Sequence, residues 1–275
     1  MKTNESKRKS RVTIKDVAKA SEVSIATVSY VLNNTPGQSI SDETRKKVLQ
    51  FANLLGYECN VMAKYLATGK TNSVAAVVKN VAPLAAPYYL QLLTELSRLL
   101  NRRNIDLKIV DYADGYSRNG SPCDAYITVA LSEQEFRSFA ETKYVPVLAI
   151  DSEFQDRLFY RINDDHKTLS ETAKRDLGAS DVTLLTFELP QENIDKLRAC
   201  YSDVAVMHSL GDLATIDRNA HYATVSKLLY DNAPCRANIK LENASFALKA
   251  SAAVDAVIKA INRVQSSTDE HNITV

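Results

Sequence analysis

The stretch TIKDVAKASEVSIATVSYVLNN, Thr13 to Asn34, contains two helical patterns separated by a few polar residues. Thr13 is a good N-cap, and Asp16 stands at the third helical position, near the positive end of the helix dipole. Ile14, Val17 and Ala18 give this segment one apolar face. SEVS, residues 21–24, is too short for anything but a tight turn. Ser24 then caps a second helix in which Val28, Val31 and Leu32 turn inward. Two short helices joined this way predict a helix-turn-helix, whose second helix offers its first side chains to a DNA major groove. The other face of that helix fits the prediction. Ser24, Thr27 and Ser29 are short donors at a helix N-terminus, where backbone amides also favour phosphate, and Ile25 and Ala26 can reach base edges.

The flanking residues extend the pattern. SDETRKKVLQFANLLG, residues 41–56, predicts a third helix capped by Ser41 and stopped at Gly56, with Val48, Phe51, Ala52 and Leu55 as its packing stripe. YECNVMAKYLATGKTNS follows, in which Asn60 can cap a short helix over residues 61–67. An isolated helix of that length is marginal in water, so the segment reads as a linker.

These three stretches together resemble the head of a LacI/GalR-family transcriptional regulator, over residues 12 to about 75. The resemblance implies two heads on a pseudo-palindromic operator, with paired hinge helices ordering in the minor groove. It places Leu66 as the residue that wedges open a central step, with Asn60, Ala63 and Lys64 beside it. Thr13, Ser24, Thr27, Ser29, Asn33, Ser41, Thr44 and Tyr57 match backbone-contacting positions, and Ile25, Ala26 and Tyr30 match base-reading ones. An apolar wedge costs a few kcal/mol of unstacking, offset by the contacts that a bend permits. Three departures stand out: Glu22 where the family usually has the glycine of the turn, Tyr30 for a frequent Arg, and Cys59 for a frequent Pro. A non-glycine residue in a left-handed turn costs about 1 kcal/mol. Tyr30 lacks the bidentate grip of Arg on guanine.

Charge divides the chain in the same place. Residues 1–70 hold twelve Lys/Arg against six Asp/Glu, and the remainder holds twenty-two against twenty-seven, although the whole is only +1. A basic head on an acidic body indicates that the head meets a polyanion. The expected organisation is a basic tail at 1–11, a DNA-binding domain at 12–58, a hinge and linker at 59–70, and a regulatory and dimerisation body at 71–275. No apolar run approaches the ~18–20 residues of a membrane span, and the basic start lacks an apolar segment behind it, so no membrane partner or secretory signal is expected. The four scattered cysteines predict reduced thiols in a cytoplasmic protein rather than a disulfide framework or a zinc site.

From residue 71 onward, apolar runs alternate with amphipathic segments, the sign of a parallel sheet with crossover helices. SVAAVV, DLKIVDY, AYITVA, VPVLAID, FYRIN and DVTLLTF read as strands. PYYLQLLTELSRLLNRR, SEQEFRSFAE and HKTLSETAKRDLG read as helices. All of these fit the first subdomain of the family's sugar-binding-protein-like α/β body. The second subdomain is abbreviated: DVAVMHS and LATID read as its strands, HYATVSKLLYD as a helix, and residues 234–262 as a closing strand and helix. APYY resembles the family's Asn-Pro-Phe-Phe, whose aromatics border the ligand cleft, and LAID resembles the segment that ends at the cleft with Asp151; with Asp217 near the end of LATID, the effector-binding candidates are Tyr88, Tyr89, Asp151 and Asp217.

The function expected is that of a homodimeric, sequence-specific DNA-binding regulator, most simply a repressor. Two variants stay open: control by a small metabolite, a sugar or derivative, or control without an effector or by a protein partner. An Arg-bearing helix and an Asn-Asp pair that bind sugar hydroxyls in the family are missing, which predicts weak sugar binding, a phosphorylated or non-sugar effector, or none. An α/β enzyme with an accessory head is the reading from another class, and a non-specific architectural DNA binder is a third. No nucleophile or acid/base cluster, metal-ligand spacing or phosphate-binding glycine motif is apparent, so catalytic residues, metal and cofactor are all expected to be none.

Overall fold

The computed structural model describes residues 12–33, 35, 37–57, 69–79, 81–115, 122–154, 156–242, 245–264 and 271–275. The expectations for residues 1–11, Cys59 and the hinge residues Asn60, Ala63, Lys64 and Leu66 lie outside these. The chain divides into two compact units, Met1–Ala67 and Thr68–Val275, a division inside the expected linker at 59–70.

The first unit contains three helices, α1 (Ile14–Ser21), α2 (Ile25–Leu32) and α3 (Asp42–Leu54). Each begins as its sequence dictates. The backbone N–H and the hydroxyl of Thr13 both donate to the Asp16 carboxylate, at 2.8 and 2.7 Å. That backbone bond, reinforced by the hydroxyl, holds the Asp16 carboxyl below its ordinary value. The Ser24 and Ser41 hydroxyls accept from the backbone N–H groups of Thr27 and Thr44, at 3.0 and 3.2 Å. Val17, Ala18, Val28, Val31, Val48 and Ala52 form a single small core. Burying each of its valines contributes about 1.5–3 kcal/mol. Leu55 does not join this stripe. It follows the last turn of α3 and is exposed, while Tyr57 packs on the core in its place. Glu22 adopts the left-handed conformation, φ 55°, and its carboxylate accepts from Lys47 Nζ at 3.0 Å.

The second unit has two parallel sheets. The first sheet has the order β10-β5-β4-β3-β1-β2, with β1 (Ser73–Val78), β2 (Asp106–Asp111), β3 (Ala125–Val129), β4 (Val147–Ile150), β5 (Arg161–Asn163) and β10 (Asn272–Thr274). The second has the order β7-β6-β8-β9, with β6 (Thr183–Phe187), β7 (Asp203–Met207), β8 (Tyr222–Thr224) and β9 (Ile239–Leu241). The connecting helices are α4 (Ala86–Asn101), α5 (Tyr112–Gly115), α6 (Glu133–Ala140), α7 (His166–Leu177), α8 (Gln191–Arg198), α9 (Lys227–Asn232) and α10 (Ser245–Ile261). Leu93, Leu96 and Leu100 of α4 are buried, and α4 packs on α10. One continuous apolar cluster runs from Val74 and Ile127 in the first lobe to Phe187 and Ile239 in the second.

The lobes divide the sequence earlier than expected. The strand in DVTLLTF is the second sheet's β6, paired with β7 and β8, and α7 packs against β8 and β9. LATID is not a strand: residues 210–215 form a 3-10 turn, with the Asp212 carboxylate bonded to the Ser209 hydroxyl. HYATVSKLLYD is not one helix. Its first residues pair as β8, and the Ser226 hydroxyl, accepting from Leu229 N–H at 3.3 Å, starts α9. The thiols of Cys123, Cys200 and Cys235 are free. Among the described residues no helix is long and apolar enough to cross a membrane.

Candidate DNA-reading helix and interlobe cleft

In the head, α2 buries Val28 and Val31 and thereby turns Ser24, Ile25, Ala26 and Tyr30 outward, all four exposed. Thr27 and Ser29 are half-buried beside them. The Ser24 and Thr27 hydroxyls lie 2.9 Å apart, and the Asn33 amide donates to the Ser29 carbonyl and hydroxyl at 2.9 and 3.2 Å. Polar and apolar groups of modest size therefore line one accessible helix face. Thr13, Ser41 and Asn33 are exposed at helix ends, and Thr44 and Tyr57 are half-buried. The N-cap Ser24 and the exposed Ile25, Ala26 and Tyr30 of α2 thus share an accessible side of the helix, held by the valines beneath it.

In the body, the carboxyl ends of β1, β4, β5 and β6 converge, the place where open α/β sheets bind ligands. Tyr88 and Tyr89 lie in the first turn of α4, Asp151 and Asp164 directly follow β4 and β5, and Asn193 lies in the first turn of α8. Lys249 reaches the same point from α10, on the stripe that continues through Ala253 and Val257. Its side chain is 1% exposed. Its ammonium donates to Tyr88 Oη at 2.7 Å, pairs with Asp164 Oδ2 at 2.7 Å and makes a short contact with Asp151 Oδ1. Three donors thus meet three acceptors.

The backbone around this ion cluster is tightly fixed. Asp151 has φ 52°, a left-handed conformation that Asp tolerates better than most residues. Its carbonyl accepts from Asn193 Nδ2 at 2.9 Å, and the next residue, Ser152, exchanges two bonds with the Asn163 side chain. Burial would lower the Lys249 ammonium, but Asp151 and Asp164 outweigh it and hold the group above its ordinary value. Burial pushes the Asp151 carboxyl up, with Lys249 opposing. Burial and then Lys249 push His166 down to about 4, so the ring is neutral near pH 7, with Nδ1 3.2 Å from Tyr201 Oη. Burial likewise raises the Tyr88 and Tyr89 phenols.

Two connected spaces lie here. An inner chamber of about 40 Å³ is lined by Tyr88, Tyr89, Asp151, Asp164, Asn193 and Lys249, among others. An outer vestibule of about 740 Å³ opens over Lys79, Ser132, Glu135, Glu188 and Glu192, and shares Tyr89 and Leu189 with the chamber. Lys79 is already paired with Glu135. Three of the four effector candidates, Tyr88, Tyr89 and Asp151, therefore come together. Asp217 does not: it is exposed, caps Asn219 N–H and is absent from both linings. Sequence reasoning missed Lys249, Asp164 and Asn193. A lysine on the buried stripe of FALKASAAVDAVI was the available signal. Among the described residues no group of three or more His, Cys, Asp or Glu could hold a metal ion.

Residues 13–60 match the family described as bacterial regulatory proteins, lacI family. The chain is 28% identical over 180 residues, 65% of its length and 55% of the relative's, to the uncharacterized HTH-type transcriptional regulator YvdE of Bacillus subtilis (strain 168). It is 27% identical over 207 residues, 74% of its length and 54% of the relative's, to the HTH-type transcriptional regulator RegA of Clostridium saccharobutylicum. The chain spans about half the length of the curated relatives it matches. Its fold matches the lac repressor dimer bound to operator and the anti-inducer ONPF, with a TM-score of 0.63, 16% identity and 96% coverage of both chains. The head, residues 13–60, is thus that of the lacI family of bacterial regulatory proteins, and the chain as a whole shares the fold of the lac repressor.

Proposed function

We propose that the chain is a sequence-specific DNA-binding transcriptional regulator, acting as a homodimeric repressor on a pseudo-palindromic operator. The observation that carries this reading is the outward face of α2, where Ser24, Ile25, Ala26 and Tyr30 are exposed on a helix locked by Val28 and Val31. Such a face can enter a major groove with its short hydroxyls on phosphate and its apolar groups on base edges. The lac repressor relative, similar in fold, was solved as a dimer on its operator. In this reading the body binds a small molecule between its lobes and shifts the equilibrium of the DNA-bound form.

A second reading, regulation without any effector, is favoured by one observation. Lys249 and its two carboxylates fill the deepest part of the cleft, leaving about 40 Å³. Selection of bound sequences from a random DNA library, using the full chain, tests the regulator reading. Two inverted half-sites with a common centre are expected. Recovery of unrelated sequences, with affinity governed only by salt, would sink it.

A further inference from the structure

The inner chamber carries more oxygen acceptors than its own cation can serve. Lys249 spends all three donors on Tyr88, Asp151 and Asp164 Oδ2. Three other buried oxygens in the chamber's lining have no hydrogen-bond partner: Asp164 Oδ1, Asn193 Oδ1 and Tyr89 Oη. Their residues are 7%, 5% and 3% exposed. An unsatisfied buried polar group costs about 1–3 kcal/mol, so three at one place call for a common partner.

Charge and size narrow that partner. Two buried carboxylates face one ammonium, which leaves one negative charge in surplus when both are ionised. Glu153 lines the same chamber and is neutralised by Lys196 at 2.7 Å, so it adds no cation. In the vestibule Glu188 and Glu192 join the Lys79–Glu135 pair, and the surplus is again negative. A phosphate or carboxylate would set acceptors against acceptors inside a field of its own sign. Water brings two donors and no charge. A primary ammonium brings three donors and the missing positive charge. A water-sized group needs about 10–15 Å³ on the measure that gives the chamber about 40 Å³, so the chamber takes the ammonium head and little more of the molecule. The vestibule, about 740 Å³, has room for the rest of a small polar molecule.

We propose that the cleft takes a small polar ligand bearing a primary ammonium group, its –NH₃⁺ seated against Asp164, Asn193 and Tyr89. This rests on the reading of the body as an effector-binding unit. The phosphorylated effector allowed by the sequence alone does not suit these acceptors.

The test compares glucosamine with glucose, one ring differing by an ammonium for a hydroxyl, in calorimetric titrations of the full chain. Methylammonium chloride against tetramethylammonium chloride at equal ionic strength removes any contribution of the ring. The expected result is binding of glucosamine at least about tenfold tighter than glucose, and stabilisation by methylammonium only. Tyr89→Phe deletes one of the three oxygens and keeps the ring and its packing on Phe187. It should weaken glucosamine about three- to tenfold without affecting glucose. Equal binding of the two sugars, binding of neither, or a Tyr89→Phe variant indistinguishable from the parent overturns the proposal. Operator binding is measured on the same preparations without ligand. Its loss counts against the regulator reading alone, and its persistence beside a failed amine titration counts against the ammonium site alone.

Discussion

Replacing Lys249 by Met keeps most of the volume of the side chain and removes only the charge and its three donors. Lys249 is 1% exposed and Asp164 3%, so the carboxylates left behind cannot turn to solvent without opening the cleft. Breaking a buried ion pair by removing one partner costs about 3–5 kcal/mol, a large share of the ~5–15 kcal/mol that holds a typical domain together. Urea unfolding of the full chain, followed by far-ultraviolet circular dichroism, should lower the midpoint of the body's transition by about 1–2 M at pH 7. The deficit should also depend on pH. Burial already pushes the Asp151 carboxyl up against the pull of Lys249, and without Lys249 it rises further. A folded-state value above the unfolded one means that the native state binds more protons between the two, so stability increases as pH falls through that window. The Lys249→Met deficit should therefore shrink from pH 7 toward pH 5. A companion variant with Asp151→Asn and Asp164→Asn added should recover most of the loss, since an uncharged cluster has no ion to desolvate. A Lys249→Met variant within about 0.5 kcal/mol of the parent at both pH values would refute the claim that this lysine neutralises buried carboxylates.

Three other substitutions probe separate parts of the chain. Tyr30→Arg should change the consensus recovered by library selection toward guanine at one position of each half-site, because Arg can grip guanine with two bonds worth about 1–3 kcal/mol; an unchanged consensus removes Tyr30 from the readers. Leu66→Ala should weaken operator binding in gel shifts while barely altering binding to random DNA, and equal loss on both rules out a wedge. His166→Gln should flatten the pH dependence of stability in mild acid. The His166 value of about 4 lies below the ordinary 6.5, so the native state binds fewer protons than the unfolded chain between them, and stability falls as pH drops through that range. The slope removed is at most about 1.4 kcal/mol per pH unit, and parallel profiles for parent and variant would contradict a buried neutral ring.

The head was legible because its determinants are local. Thr13, Ser24 and Ser41 each bond a group within three residues, and the inward Val17, Val28 and Val48 follow the helical repeat. The first lobe's strands β1 to β5 were legible for the same reason, being apolar runs bounded by helices with clear caps such as Ser132, whereas the three-residue β10 was not read. The second lobe was harder. Strands of three residues, Tyr222–Thr224 and Ile239–Leu241, carry too little pattern to separate them from helix, and their pairing partners lie far away in sequence. Ser226, which ends one element and starts the next, was hidden inside an apparent helical run. The cleft was half legible. Tyr88, Tyr89 and Asp151 stand in recognisable contexts, whereas the role of Lys249 depends on Asp151 and Asp164, residues about eighty or more positions earlier that only the fold brings within reach.

The position of β10 bears on how the chain acquires its shape. The first sheet gains its last strand only when residues 272–274 pair beside β5, with the Val275 carbonyl accepting from Asp165 N–H and Val275 N–H donating to the Asn163 carbonyl. Its helix α10 also arrives after the whole second lobe. On the ribosome the second lobe's strands, residues 183–241, are therefore complete while the first sheet still presents an open edge at β5. Contacts this distant form slowly, and an unpaired strand edge is a template for neighbouring chains. Until β10 arrives, β5 is therefore an unpaired edge in the first lobe, open to aggregation during synthesis and to chaperone assistance.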